Sequence, residues 1–144
     1  MPKAVATREL LAPPEHVWRF LAEPLHLSDW WPGVHAVRPD RRGLAPGARW
    51  QVTAGPQTGG LVSAFLRRPE AAGTIVVLDV REPELIRLLF VDDRIEAELR
   101  LERAGGSHTS AGLTIEGPWF RVNRSLPRTA LERLHALCQT ADEL

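Results

Sequence analysis

A chain of 144 residues, 44% hydrophobic and 25% charged, is long enough to bury a core and too apolar to be disordered. Its 18 basic residues balance 18 acidic ones, so no net field favours nucleic acid or an anionic membrane, and no nucleic-acid partner is expected. A single cysteine, Cys138, excludes an internal disulfide and a multi-cysteine zinc site.

The opening MPKAVATREL lacks the continuous apolar run of a signal peptide, and no window approaches a membrane span. A cytoplasmic location without stable membrane insertion is therefore expected. With no repeat and no long linker, residues 1–144 are read as a single domain.

Residues 4–11 form a first strand of poor alternation. PPEHVWRFL then predicts a helix: Pro14 suits the first turn, Glu15 favours the positive helix end, and Val17, Phe20 and Leu21 share a face. Pro24 opens a second short helix, on which Leu27, Trp30 and Trp31 stand at i, i+3 and i+4. Pro32 and Gly33 end it.

From residue 34 to 117 the punctuation is that of strands and turns. VHAVRPD and ARWQVTA flank a turn rich in glycine and proline. GTIVVLDVRE and LIRLLFV are separated by Pro83 and Glu84, and LIRLLFV and RIEAELRLER by Asp92 and Asp93. Ile95, Ala97, Leu99 and Leu101 take one face of their strand, and Glu96, Glu98, Arg100 and Glu102 the other. Ala111, Leu113 and Ile115 continue the apolar face on a final strand. Residues 55–72 form a long connection whose LVSAFL is either a further strand or a lid folded over a pocket mouth.

A terminal helix carries Leu131, Leu134, Leu137, Cys138 and Ala141 at helical spacing. Thr129 and Glu132 fit a capping box; alternatively the helix begins near Trp119 and kinks at Pro127. In that second case Arg121, Arg124 and Arg128 share one side, suited to an acidic head group or partner, or simply to solvent.

This order of elements, an α+β arrangement of a strand, two short helices, six strands and a long helix, resembles the helix-grip (SRPBCC) superfamily. That superfamily holds polyketide cyclase/dehydrase-like, START-related lipid-transfer and birch-pollen-allergen-like proteins. The resemblance rests on LLAPPEHVWRFLAEPLHLSDWWPGV, LDVREPELIRLLFV and IEAELRLERAGGSHTSAGLTIEG with the terminal helix, and covers nearly the whole chain. It implies a curved antiparallel sheet gripping the C-terminal helix, with a cavity between them gated by the short helices. The side chains expected to line that cavity are Trp30, Trp31, Trp50, Phe65, Phe90, Leu99, Leu113, Trp119, Leu134 and Cys138. The tryptophan pair would stand beside the mouth, plain core packing being the alternative.

Catalytic signatures are absent from the sequence. His16, His26, His35, His108 and His135 show no metal-ligand spacing, and no nucleophile elbow, phosphate loop or dinucleotide fingerprint occurs, so neither metal nor cofactor is expected. His135, beside Leu134, is a candidate for the cavity edge. Asp79 and Arg81 share parity with Ile75 and Val77. They face solvent if Val76, Leu78 and Val80 pack inward, and form a buried polar spot if the parity is reversed.

The expected function is binding or transport of a hydrophobic small molecule, such as a lipid, isoprenoid or polyketide-like chain, by a monomer or homodimer. A cyclase/dehydrase-like enzyme acting in the same cavity is the first alternative. A protein-interaction module of the chaperone-associated kind is the second.

Overall fold

The computed structural model describes residues 2–54, 73–119 and 121–142, with the side chains of residues 54 and 139–142 excluded. Phe65 and LVSAFL lie outside the described residues, so the choice between strand and lid is not made there.

The chain runs β1 (Lys3–Leu10), α1 (Pro14–Leu21), a 3₁₀ turn (Pro24–His26), α2 (Leu27–Trp30), β2 (Val34–Pro39), β3 (Arg49–Ala54), β4 (Gly73–Arg81), β5 (Leu85–Phe90), β6 (Ile95–Ala104), β7 (His108–Glu116) and α3 (Leu126–Asp142). Among the described residues the strands form one curved antiparallel sheet of seven in the order β1-β7-β6-β5-β4-β3-β2. This is the helix-grip α+β architecture that the element order implies.

Register explains why one face is apolar throughout. Val80, Ile86, Leu99, Leu113 and Ala6 align across β4, β5, β6, β7 and β1. Val77, Leu88, Ala97, Ile115 and Ala4 form the next rung, and Trp50, Ile75, Phe90 and Ile95 a third. Because side chains alternate along each strand, the intervening residues fall on the opposite, wetter face. There Asp79 opposes Arg87, and Arg87 opposes Glu98.

β4 departs from simple alternation. Pairing with β5 shifts between Val77 and Asp79, so Leu78 is an inserted residue. Ile75 and Val77 are buried on the inner face, and after the bulge it is Val80 that turns inward. Asp79 and Arg81 therefore do lie on the outer face, where they pair at 3.4 Å. The sequence-based reason for that placement is corrected: Val76, Leu78 and Val80 do not form one inward face.

α3 packs on β1 and β7 and touches α2; α1 lies against β6 and β7, and α2 against β2. Ala130, Leu131, Leu134 and Cys138 are buried. The helix begins at Leu126, so Pro127 sits in its first turn, where the missing N–H costs nothing. The Thr129 N–H already donates to the Ser125 carbonyl (3.0 Å), so Thr129 lies inside the helix and caps nothing. Arg121 and Arg124 precede the helix, and the expected common face with Arg128 does not form.

Thr109 is the one buried polar side chain among the described residues, and its Oγ1 donates to the Ala12 carbonyl at 2.7 Å. That bond fixes the β1–α1 connection to β7. Thr109→Val keeps the shape and leaves the carbonyl without its donor, which is expected to cost about 1–3 kcal/mol of stability. Urea unfolding measures it; an unchanged midpoint would deny the bond this role.

Candidate functional site

Two spaces meet at the tryptophan pair. The inner one lies between the sheet and the α1–α2 region, lined by Leu21, Leu27, Trp30, Trp31, Trp50, Ile86, Leu88, Leu99 and Leu113 among others. Its volume is only about 20 Å³, room for a single water. The outer one is an open cleft of about 450 Å³, walled among the described residues by Trp31–Val34, Val52, Gly73–Ile75, Phe90, Asp92, Asp93, Ile95, Arg121 and Leu126. That size falls within the range of small-molecule sites.

Among the described residues, the expected space between the sheet and the terminal helix is not open along the middle of that helix. Leu113, Ile115, Leu131 and Leu134 are completely buried and fill that region. The open room lies instead at the N-terminal end of α3, where Leu126 meets the ends of β2, β3 and β4.

The aromatic wall arises from local sequence. Glu23 accepts a hydrogen bond from Leu25 N (3.3 Å), and Pro24 starts a tight turn that passes directly into α2. His26 stacks on Phe20 at 4.3 Å and donates from Nδ1 to the Phe20 carbonyl at 2.7 Å, binding α2 to α1. Trp31 then leaves the helix with extended backbone, and Gly33 turns the chain at a φ of 87° that other residues avoid. The Trp30 and Trp31 rings meet edge to face at 5.5 Å, and Trp31 stacks on Phe90 at 4.9 Å. Both indoles are buried, Trp31 between the two spaces.

Polar groups gather on one side of the cleft. Asp92 Oδ2 accepts from Thr74 N at 2.9 Å, and Arg121 Nη1 donates to Asp93 Oδ1 at 3.4 Å. Gly73 lies beside them, and a Cβ there would push the Asp92 carboxylate out of its present position. Among the described residues, no group of three or more His, Cys, Asp or Glu is placed to hold a metal, and no helix is long and apolar enough to cross a membrane.

Of the residues expected to line a cavity, Trp31 and Phe90 border the cleft, while Trp30, Trp31, Trp50, Leu99 and Leu113 enclose the small inner space. Leu134 is core. Cys138 borders a separate depression with His16, Arg19, Phe20 and Leu137 between α1 and α3. Trp119 is corrected: it is 78% exposed and borders neither space. His135 is corrected too, since its Nδ1 donates to the Glu9 carbonyl at 3.1 Å and ties α3 to β1. Of the three arginines only Arg121 reaches the cleft. Sequence reasoning missed Val52, Ile75, Asp92, Asp93 and Leu126. Asp92 and Asp93 were visible only as turn residues, and the inward parity of Ile75 was the signal to follow.

Residues 1–138 match the family model described as polyketide cyclase / dehydrase and lipid transport. Similar solved structures include XoxI from Bacillus cereus, 9% identical with a TM-score of 0.72, covering 99% of each chain. The AHSA1-like protein of Aeromonas hydrophila is 16% identical with a TM-score of 0.70, covering 98% of this chain and 94% of that one. A norcoclaurine synthase mutant from Thalictrum, bound to a transition-state analogue, is 13% identical with a TM-score of 0.64, covering 98% and 96%. At these identities the likeness shows the fold. No curated protein matches the sequence.

The loop behind the inner space is held by one carboxylate. Asp40 accepts from Arg49 N and Arg42 N, each at 2.9 Å, which positions Leu44 and the Gly43 carbonyl that receives Trp50 Nε1 at 2.8 Å. The Arg49 N–H is the largest influence holding the Asp40 carboxyl below its usual range; desolvation opposes it, and Arg42 and Gly43 add to the lowering. A depressed folded pKa stabilises above the unfolded value of about 4, and that contribution disappears as pH falls through the lower folded value. Asp40→Asn is therefore expected to lower the thermal midpoint at neutral pH and to converge on the parent in acid, once pH has fallen through the depressed folded value. Equal differences at both pH values would contradict this.

Proposed function

The chain belongs to the polyketide cyclase/dehydrase and lipid transport family, and we propose that it binds or carries a hydrophobic small molecule, such as a lipid, isoprenoid or polyketide-like chain, in the cleft beside Trp31 and Phe90. The observation that carries this reading is the combination of size and lining. A cleft of about 450 Å³ has Trp31, Val34, Val52, Ile75, Phe90, Ile95 and Leu126 on its walls and a short polar side at Asp92, Asp93 and Arg121. Mostly apolar walls with a few oriented polar groups are what a small amphiphile requires. Burying its apolar surface drives association, and the polar side fixes its direction.

A cyclase or dehydrase working in the same cleft is the second reading. The Asp92 and Asp93 carboxylates are the groups there that would move protons along a held poly-ketone chain. The carrier is favoured because both carboxylates are already engaged, Asp92 by Thr74 N and Asp93 by Arg121. Asp79, Arg81 and His135 do not enter either reading, for none of them borders the cleft.

Native mass spectrometry of protein purified from cells is expected to show a retained small molecule that organic extraction removes. Phe90→Ala should release it or weaken rebinding about tenfold, equivalent to ~1.4 kcal/mol. Undiminished affinity in Phe90→Ala would remove the cleft from consideration, and turnover of a poly-ketone that stops in Asp93→Asn would favour the enzyme.

A further inference from the structure

We infer that Trp31 sets the length of chain that the cleft accepts, by walling it off from the apolar space inside the protein. The inference rests on the ligand-binding reading above. Trp31 is the one residue common to the described linings of both spaces: the open cleft of about 450 Å³ on one side and the inner space of about 20 Å³ on the other. Immediately beyond it lie Leu27, Trp30, Trp50 and Leu99, all buried. The single acidic residue bordering the inner space, Glu23, directs Oε1 to Leu25 N. Room released by the indole would therefore extend an apolar cleft into further apolar surroundings, where methylene groups are favoured over water.

The wall is well braced. Its Trp31 backbone N–H donates to the Leu27 carbonyl at 2.9 Å, and the Pro32–Gly33 turn fixes the chain on the other side. The indole is held edge-on by Trp30 and face-on by Phe90, the two planes 79° and 22° from its own. A straight chain entering along Phe90 meets this ring and stops. Phe90 itself borders only the cleft, so trimming it widens the entrance without opening the interior.

Each methylene buried on binding strengthens affinity about fourfold until the end of the space is reached, after which longer chains gain nothing. The test is calorimetric titration of primary alcohols from hexanol to dodecanol into the wild type, Trp31→Leu and Phe90→Leu. Neutral alcohols avoid the charges of Asp92, Asp93 and Arg121. The expected result is a wild-type affinity that rises and then levels, a Trp31→Leu plateau displaced to longer alcohols, and a Phe90→Leu series weakened at every length with its plateau unmoved. Binding by the wild type with an identical plateau in Trp31→Leu overturns the wall and leaves the cleft reading intact. Binding by Trp31→Leu alone, or by neither protein, overturns both, since the wild-type cleft then accepts no chain whose length Trp31 could set. Should Trp31→Leu fail to fold by circular dichroism, Trp31→Phe shortens the same ring and is read by the same criterion.

Discussion

The structure depends on how much sheet its helices can cover. Seven strands span about 30 Å, whereas one helix with its side chains is about 10–12 Å wide. α3 packs on β1 and β7, and α1 covers β6 and β7. The remaining inner face, from β5 toward β2, carries Val37, Trp50, Val52, Ile75, Val77, Ile86 and Leu88, all buried. A four-residue helix has no face large enough for that area, so it must deliver bulk through individual side chains. Trp30 and Trp31 are that bulk. Trp30 borders the inner space and Trp31 both spaces, so among the described residues the pair fills the interior up to the edge of the cleft.

The outer face answers a different requirement. Arg87 pairs with Glu96 and, at 3.8 Å, with Glu98, and Arg100 meets Glu98 at 2.9 Å. These groups are 30–63% exposed, so each pair contributes little to stability. Their value is in register. Sliding β5 by one residue against β6 would turn Arg87 inward beside Ala97 and Leu99, where an unpaired charge is very costly, and would expose Ile86 and Leu88. The charges select the pairing that the inner rungs reward, which is why a neutral chain can be strongly charged on one face and apolar on the other.

What the sequence made legible follows the same physics. β6 reads correctly because nothing interrupts it: Ile95, Ala97, Leu99 and Leu101 are all buried, and strict period two survives to the structure. β4 defeats the same reasoning because one inserted residue, Leu78, reverses parity midway, and a bulge leaves no mark on composition. The arginine face failed on one proline. Read as a kink inside a helix, Pro127 aligns Arg121 with Arg128; placed in the first turn, it leaves Arg121 outside the helix and beside Asp93. A space between the sheet and the terminal helix was legible, but not where along that helix it opens, because that depends on which helix covers which strands, a matter of tertiary packing. Asp92 and Asp93 carry the signature of a turn, and only the fold brings that turn to the edge of an apolar opening.

Two residues bordering the opening carry no side chain, and each is glycine for a reason of its own. Gly33 has the backbone angle needed to turn the chain out of α2 into β2. Gly73 gives the Asp92 carboxylate room to reach Thr74 N and fasten the β5–β6 turn to the start of β4. Neither glycine is there to make space, yet both border it. The turn that places Trp31 as a wall and the turn that places Asp92 and Asp93 as a polar side thus leave between them the gap that neither fills. Site and scaffold here are products of the same few backbone constraints, so a change that tightens either turn alters the volume of the cleft as well as its lining.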